Sequence, residues 1–438
     1  MLRRIAIVAF FTGSGQLLSI FVLKFLSEHS NVTQLRAIAE IDSLVFFIMN
    51  VIALGLQSAA MRNLALMPQW KQEYYDTQSA RITLGILLMA AAAFAVLNNY
   101  YLVFLVAPVL AWSGDYAMYA RGYPIAGSII AFIRLAVPFL SILAAARYFP
   151  SILGWVYMVA LTVVYIVTNA YISYFLKTTQ FFKPSFKKLH LYISSLPLGI
   201  VALSLYFLGL GLVLIIPYMY PPEVVTVAFI GLKFYVIYKG VLRILHQAFL
   251  KEMQSEEICL KVDQLSIIAG TVLLGSLLVF PGSFITFFFG KKYLADATFF
   301  LVLGVDAFIY SVFLSFATRA LFLKADKKYT IITAIAAIAT IISVIILSRF
   351  THTATSIAVG LGIGELTWAI GLIDLSGSKK QVTDRLVFIS TLLPLLLVPL
   401  AFRYWMNDHL IFYFISFGLL AVLVLLLHYR KFKTLSKQ

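Results

Sequence analysis

Ionisable side chains interrupt stretches of this sequence that are otherwise apolar. Arg134, Lys233 and Glu365 stand mid-stretch. Asp306 and Asp115 lie somewhat off centre, and Lys24 and Asp42 lie near the ends of two others. Lys239 and Arg243 follow Lys233 along the same stretch. An ionised group at the centre of a hydrocarbon layer costs roughly 2.5–3.5 kcal/mol on insertion scales, so it ordinarily faces a partner or a water-filled cavity. On a helix, Lys239 and Arg243 are four apart and share a face, and Lys233 falls about 80–120° away at 100° per residue. One sector could present all three as a cationic track for an anionic substrate. The competing reading is that Arg243, and Lys239 with it, reach back to the headgroups. From mid-stretch that route is closed to Lys233 and Arg134, which leaves a cavity or an ion pair. Lys24 and Asp42 suit a salt bridge across the first hairpin as well as a ligand role. Glu365, with Asp306 and Asp115, is a candidate proton or Na⁺ site, or Glu365 is simply the partner of Lys233 or Arg134.

Bond-making chemistry has no visible apparatus. No nucleophile–base arrangement and no metal motif is present, so no catalytic residue, cofactor or metal ligand is assigned. The one cysteine, Cys259, excludes an intramolecular disulfide and a CxxC site, and the six histidines lack ligand spacing. Gly360-Leu-Gly-Ile-Gly364 is no nucleotide fingerprint, because it lacks the spacing and follows no strand. The Gly360/Gly364 pair suits close helix packing.

The elements that must carry these groups are membrane helices. Of 438 residues 62% are hydrophobic and 12% charged, where a soluble domain has about 45–50% and about 25%. Runs of about 17–25 apolar residues fall near 4–27, 40–60, 79–98, 100–120, 122–146, 151–175, 192–216, 223–247, 265–289, 297–322, 329–348, 355–375, 387–402 and 411–428. The fold class expected is all-α and polytopic, with roughly fourteen crossings. The first run is too long for a signal h-region, and reads as a retained span.

A net charge of +16 would suggest nucleic acid in a soluble protein. Here the basic residues sit in short clusters between spans and read as topology signals. With the N-terminus inside, roughly 22 Lys and Arg lie on inner segments and roughly 6 on outer ones. Arg62, Arg81, Lys177, Lys188, Lys251, Lys261, Lys324, Arg385 and the tail Arg430–Lys437 are among the inner ones. Both termini are therefore expected in the cytoplasm. The longest outer loop expected is 27–39, and the longest inner connections are 62–78, 177–190 and 251–264. None holds a catalytic domain. The basic stretch 177–190 divides six spans from six, which suggests two parallel lobes. The expected organisation is a lobe at 1–176, a linker at 177–190, a second lobe at 191–376, and an appended helix pair with a basic tail at 377–438. Pro138, four residues after Arg134, is a candidate hinge. Tyr100, Tyr101, Tyr218, Tyr220, Tyr293 and Trp405 read as interfacial anchors.

At the ninth-to-tenth junction the chain reads Phe287-Phe-Phe-Gly-Lys-Lys-Tyr-Leu-Ala-Asp-Ala297. A span ending in Phe-Gly, two polar residues, Tyr and a following Ala resembles a recurrent segment of polysaccharide flippases. These belong to the multidrug/oligosaccharidyl-lipid/polysaccharide exporter superfamily. The six-plus-six-plus-two layout resembles that family over nearly the whole chain. The resemblance implies an O-antigen-type flippase of the bacterial inner membrane. Its substrate would be an oligosaccharide linked to undecaprenyl pyrophosphate, and its partners membrane lipids, a coupling H⁺ or Na⁺, and enzymes of polysaccharide assembly. Such proteins present Arg and Lys from spans one, two, seven or eight to a cavity, and Lys24, Lys233, Lys239 and Arg243 are the candidates here. The chain departs from that pattern in the lower half of span one, Ala9 to Gln16, which is uncharged. The runner-up is a cation-coupled drug exporter of the same superfamily, which Asp306 and Glu365 would suit. A membrane glycan polymerase or ligase is a third reading, against which the short outer loops count.

Overall fold

The computed structural model describes residues 2–29, 32–66, 69–94, 102–178, 182–248, 256–322, 325–376, 379–406, 410–411 and 413–420. Among them every regular element is helical. Ten stretches of the described residues are long and apolar enough to cross a membrane: 10–29, 124–146, 153–175, 186–207, 222–243, 259–279, 291–319, 327–347, 354–375 and 380–404. The chain is a multi-pass membrane protein. The helix faces agree with a lipid solvent. In α15 (Asp326–Leu347) the isoleucines at 331, 335, 338, 342 and 346 are exposed at i, i+4, i+7, i+11 and i+15. In α9 (Leu153–Phe175) Trp155, Val159, Val163 and Val167 are exposed, while Thr168, Asn169 and Ser173 are buried. Polar side chains turn in and apolar ones out, the reverse of a helix on a water-soluble domain.

The chain divides into two compact units, one running to Pro217 and the other starting at Tyr218. The first contains α1 (Leu2–His29), α2 (Val32–Ala53), α3 (Leu56–Leu66), α4 (Trp70–Phe94), three short helices α5 (Leu102–Leu105), α6 (Ala107–Ala111) and α7 (Asp115–Ala120), α8 (Pro124–Ala146), α9 and α10 (His190–Phe207). The outer loop expected over 27–39 is instead mostly helix, since α1 runs to His29 and α2 begins at Val32. Arg36 and Glu40 pair at i, i+4 at 2.6 Å, which keeps two polar residues helical there. The fourth span is broken into short pieces around Pro108 and Gly114.

The dividing point lies well beyond the 177–190 connection, because α10 packs on α2 and α3. Between those two helices Leu54 (φ 25°) and Gly55 (φ 74°) take a left-handed turn. A Cβ on Gly55 would come within 2.4 Å of the Ser195 carbonyl oxygen. Tyr192 donates to the Ile52 carbonyl at 2.7 Å, and Tyr206 to that of Ser43 at 2.7 Å.

The second unit contains α11 (Pro222–Ala248), α12 (Glu256–Val279), α13 (Pro281–Phe288), α14 (Ala297–Phe322), α15, α16 (Ala354–Ser376), α17 (Lys379–Leu392) and α18 (Leu397–Met406), followed by helical residues 413–420. The single span expected over 265–289 is two elements, broken where Pro281 starts α13. The Phe-Gly segment is the turn out of α13. Gly290 takes φ 107°, which a side chain would disfavour, and a 3₁₀ stretch with Tyr293 buried leads into α14. Tyr100, Tyr101, Lys251, Lys324 and the basic tail lie outside the described residues, as do the side chains of Arg62 and Trp405.

Candidate functional site

Among the described residues each unit carries a buried polar cluster built around candidate residues. In the first, α8 brings Arg134 to face α9 and the α6–α7 break. Arg134 Nε donates to Thr168 Oγ1 at 2.9 Å, Nη1 to Ser113 Oγ at 2.7 Å, and Nη2 to Asn169 Oδ1 at 2.6 Å. Its guanidinium lies 4.4 Å from the Tyr165 ring centroid. Asp115 stands 3.4 Å from Nη1 and accepts from Ser113 Oγ at 2.6 Å. The helix break at Ser113–Gly114 frees backbone carbonyls that lipid would leave unsatisfied. Gln78 of α4 donates to the Trp112 carbonyl at 2.9 Å, and Arg81 to that of Ser113 at 2.5 Å. Arg81 was expected in an inner loop and is buried here, in a helix. Arg134 is thus engaged within its own unit by one ion pair and three side-chain hydrogen bonds. Pro138 lies buried inside α8, which runs unbroken past it.

The second cluster lies on α11, α14 and α16. Tyr235, Lys239 and Arg243 repeat at i, i+4, i+8 along one face of α11. Lys239 Nζ reaches Glu365 Oε1 of α16 at 2.5 Å, and the Tyr235 hydroxyl donates to the same oxygen at 2.6 Å. The ammonium sits between two rings, 4.6 Å from the centroid of Tyr235 and 4.5 Å from that of Tyr310. Arg243 Nε donates to the Tyr310 hydroxyl at 3.0 Å, and Tyr310 stacks on Trp368 at 5.4 Å and 13°. Asp306, one turn before Tyr310 on α14, faces α16 where Gly362 lacks a side chain. A Cβ there would lie 2.6 Å from Asp306 Oδ1. Glu365 is 0% and Asp306 2% exposed, and Glu365 Oε2 and Asp306 Oδ2 accept no hydrogen bond.

Of the candidate residues, the structure brings together Lys239, Arg243, Glu365 and Asp306. It joins Arg134 to Asp115 in the other unit. Glu365 takes Lys239 as its partner. Lys233 is buried on a different face of α11, and Lys24 is half-buried on α1. Asp42 accepts from the Tyr157 hydroxyl at 2.7 Å. Lys239 does not reach back to headgroups, since the carboxylate and two rings enclose it.

Sequence reading missed a further buried ion pair in the second unit. Arg385 of α17 donates to Asp263 of α12, and to Ser315 Oγ of α14 at 2.8 Å, with its guanidinium 4.0 Å from the Phe316 centroid. Both residues had been placed in inner connections.

No family model and no curated protein matches the sequence. The fold has solved counterparts. A structure described as lipid II flippase MurJ in an inward-closed conformation superposes with a TM-score of 0.73, at 13% identity, over 99% of both chains. An inward-facing multidrug resistance MATE family transporter of the MOP superfamily gives 0.58 at 13% identity, over 86% of this chain and 95% of that one. A MOP superfamily transporter from Pyrococcus furiosus, described as having a binding pocket of reverse polarity, gives 0.54 at 12% identity, over 87% and 95%. The shared property is the fold. Among the described residues no group of three metal-ligating side chains is present.

Proposed function

We propose that this protein is a flippase of the MOP superfamily. It carries a polyprenyl-pyrophosphate-linked oligosaccharide from the cytoplasmic to the periplasmic leaflet of a bacterial inner membrane, by alternating access. The observation that carries this reading is the cationic face of α11. Lys239 and Arg243 are held by tyrosines within an apolar bundle, a setting that suits a phosphate and supplies no nucleophile for cutting one. The full-length likeness to a lipid II flippase supports it. Lys24 and Lys233 are further candidate contacts for that substrate, each in its own unit, and both termini are assigned to the cytoplasm. A topology reporter at Gln438 that reads periplasmic would overturn that placement.

The ion that resets the empty carrier, H⁺ or Na⁺, belongs at Asp306. Asp115 is engaged by Arg134 and Glu365 by Lys239, whereas Asp306 keeps a buried oxygen with no hydrogen bond.

The test is flipping in proteoliposomes, using a fluorescent oligosaccharide on undecaprenyl pyrophosphate and a membrane-impermeant quencher. Wild type flips it, and Lys239→Gln slows flipping at least tenfold while its elution profile stays that of wild type. Efflux of a lipophilic cation, with no flipping, would replace this reading with the drug exporter, which the two buried carboxylates favour.

A further inference from the structure

The Lys239–Glu365 pair poses a question that a static salt bridge does not answer. The ammonium that should meet a phosphate is already occupied, at 2.5 Å, by a carboxylate of the same unit. A buried ion pair stands only while both charges are compensated, and removing one charge strands the other. Anything that draws Lys239 away must therefore also neutralise Glu365.

The surroundings limit how that happens. Glu365 is faced by Tyr235, Lys239 and Arg243 from α11, by Asp306 and Tyr310 from α14, and by Tyr329 from α15. The cations there are Lys239 and Arg243 and the anions are Glu365 and Asp306, so the cluster is formally neutral. Arg243 bonds to a neutral phenol and is half-buried, which places a cation beside Lys239 at the more open end. Tyr235 can turn its hydroxyl and accept as well as donate. Glu365 Oε2 accepts nothing, so a proton can be added there without breaking an existing bond.

We infer that Glu365 is a built-in stand-in for the substrate's phosphate: an anion displaces it from Lys239, and the freed carboxylate takes up one proton from water at Oε2. When the anion leaves, Glu365 gives the proton back and recaptures Lys239. No covalent bond forms or breaks. The empty site is neutral with the pair closed. The loaded site gains one proton for one negative charge newly held by Lys239. By linkage each event favours the other, so anion affinity falls as pH rises. The inference rests on the anionic-substrate reading above and adds its control element.

The experiment is calorimetric titration of the full-length protein, in detergent, at pH 6 and pH 8 with P1,P2-dimethyl pyrophosphate, a diester whose charge does not change between those pH values. Two buffers of different ionisation enthalpy give the proton count. Wild type takes up one proton per bound anion and binds it more weakly at pH 8 than at pH 6. Glu365→Gln removes the uptake, changes affinity less than twofold between the two pH values, and binds at least tenfold more tightly than wild type at pH 8. Lys239→Gln binds at least tenfold more weakly at both. Binding by Glu365→Gln itself, with the elution profile of wild type, guards against a folding artefact in that variant. Uptake that persists in Glu365→Gln, or that disappears in Asp306→Asn instead, overturns the exchange. So does wild-type binding that is independent of pH. Dimethyl pyrophosphate that fails to bind wild type at either pH overturns the anionic-substrate reading itself, and the exchange with it.

Discussion

Arg134 Nη2 donates to Asn169 Oδ1 at 2.6 Å and thereby ties α8 to α9 inside the first unit. Thr168, one residue earlier, takes Nε of the same guanidinium. A planar fork meeting three fixed acceptors has a geometry that lysine does not match. Arg134→Ala leaves Asp115 without its cation and the buried Ser113, Thr168 and Asn169 without their donor, and loss of one partner of a buried pair costs about 3–5 kcal/mol. The expected outcome is a lower unfolding midpoint and lower membrane abundance, with Arg134→Lys intermediate. Fluorescence-detected thermal gel filtration checks it. An unchanged midpoint in Arg134→Ala would show that the network is dispensable for stability and would return Arg134 to the substrate path.

The Asp263–Arg385 pair fastens α17 to α12 and α14. Arg385→Ala should destabilise the second unit by about 3–5 kcal/mol, because it strands a buried carboxylate. The double variant Asp263→Leu/Arg385→Met replaces both charges with apolar groups of similar size and should recover most of that loss. A double variant no more stable than Arg385→Ala would mean that the hydrogen bond to Ser315, not the charges, holds α17.

Which features were legible in the sequence follows from what lipid does to a helix. Long apolar runs had to be spans, and α8, α9, α11 and α14–α16 lie where hydropathy puts them. A charge embedded in such a run had to be buried, which found Arg134, Lys239, Asp306 and Glu365. Partners were harder to read. Tyr235 and Tyr310 look like ordinary membrane aromatics until the i+4 step to Lys239 and the ring–ammonium distances are seen. Arg385, Arg81 and Asp263 lie in segments with several charges, where hydropathy averages one buried residue with its exposed neighbours. The helix at 32–39 was hidden for the same reason, since Arg36 and Glu40 lower its hydropathy without breaking it.

Gly55 is the tightest backbone approach in the first unit. Its φ of 74° and its 2.4 Å approach to the Ser195 carbonyl leave no room for a methyl group. Gly55→Ala should move α10 off the α2–α3 break and lower the unfolding midpoint by several degrees. Gly122→Ala, also at positive φ but with open space around it, pays only the conformational strain and should cost about 1–2 kcal/mol. Equal effects in the two variants would assign the loss to backbone conformation alone and not to the contact with α10.

Asp306 provides the test of coupling. An inside-negative membrane already favours anion exit, by roughly 2.3 kcal/mol per charge per 100 mV. An ion is therefore needed for resetting the empty carrier more than for the outward step. A carboxylate that takes a proton or Na⁺ from outside can serve that step if it is buried, near the substrate cations, and not already committed. Asp306 is 2% exposed, lies one turn from Tyr310 and has Oδ2 without a hydrogen bond. Asp306→Asn keeps the volume and fixes the charge at zero. In proteoliposomes, collapsing the ion gradients should slow wild-type flipping several-fold. With the membrane potential clamped, Asp306→Asn should lose the acceleration that an inward H⁺ or Na⁺ gradient gives wild type. If Asp306→Asn keeps the wild-type sensitivity, resetting is driven by the potential alone or by another group, and Asp306 is a buried acid with a packing role against Gly362.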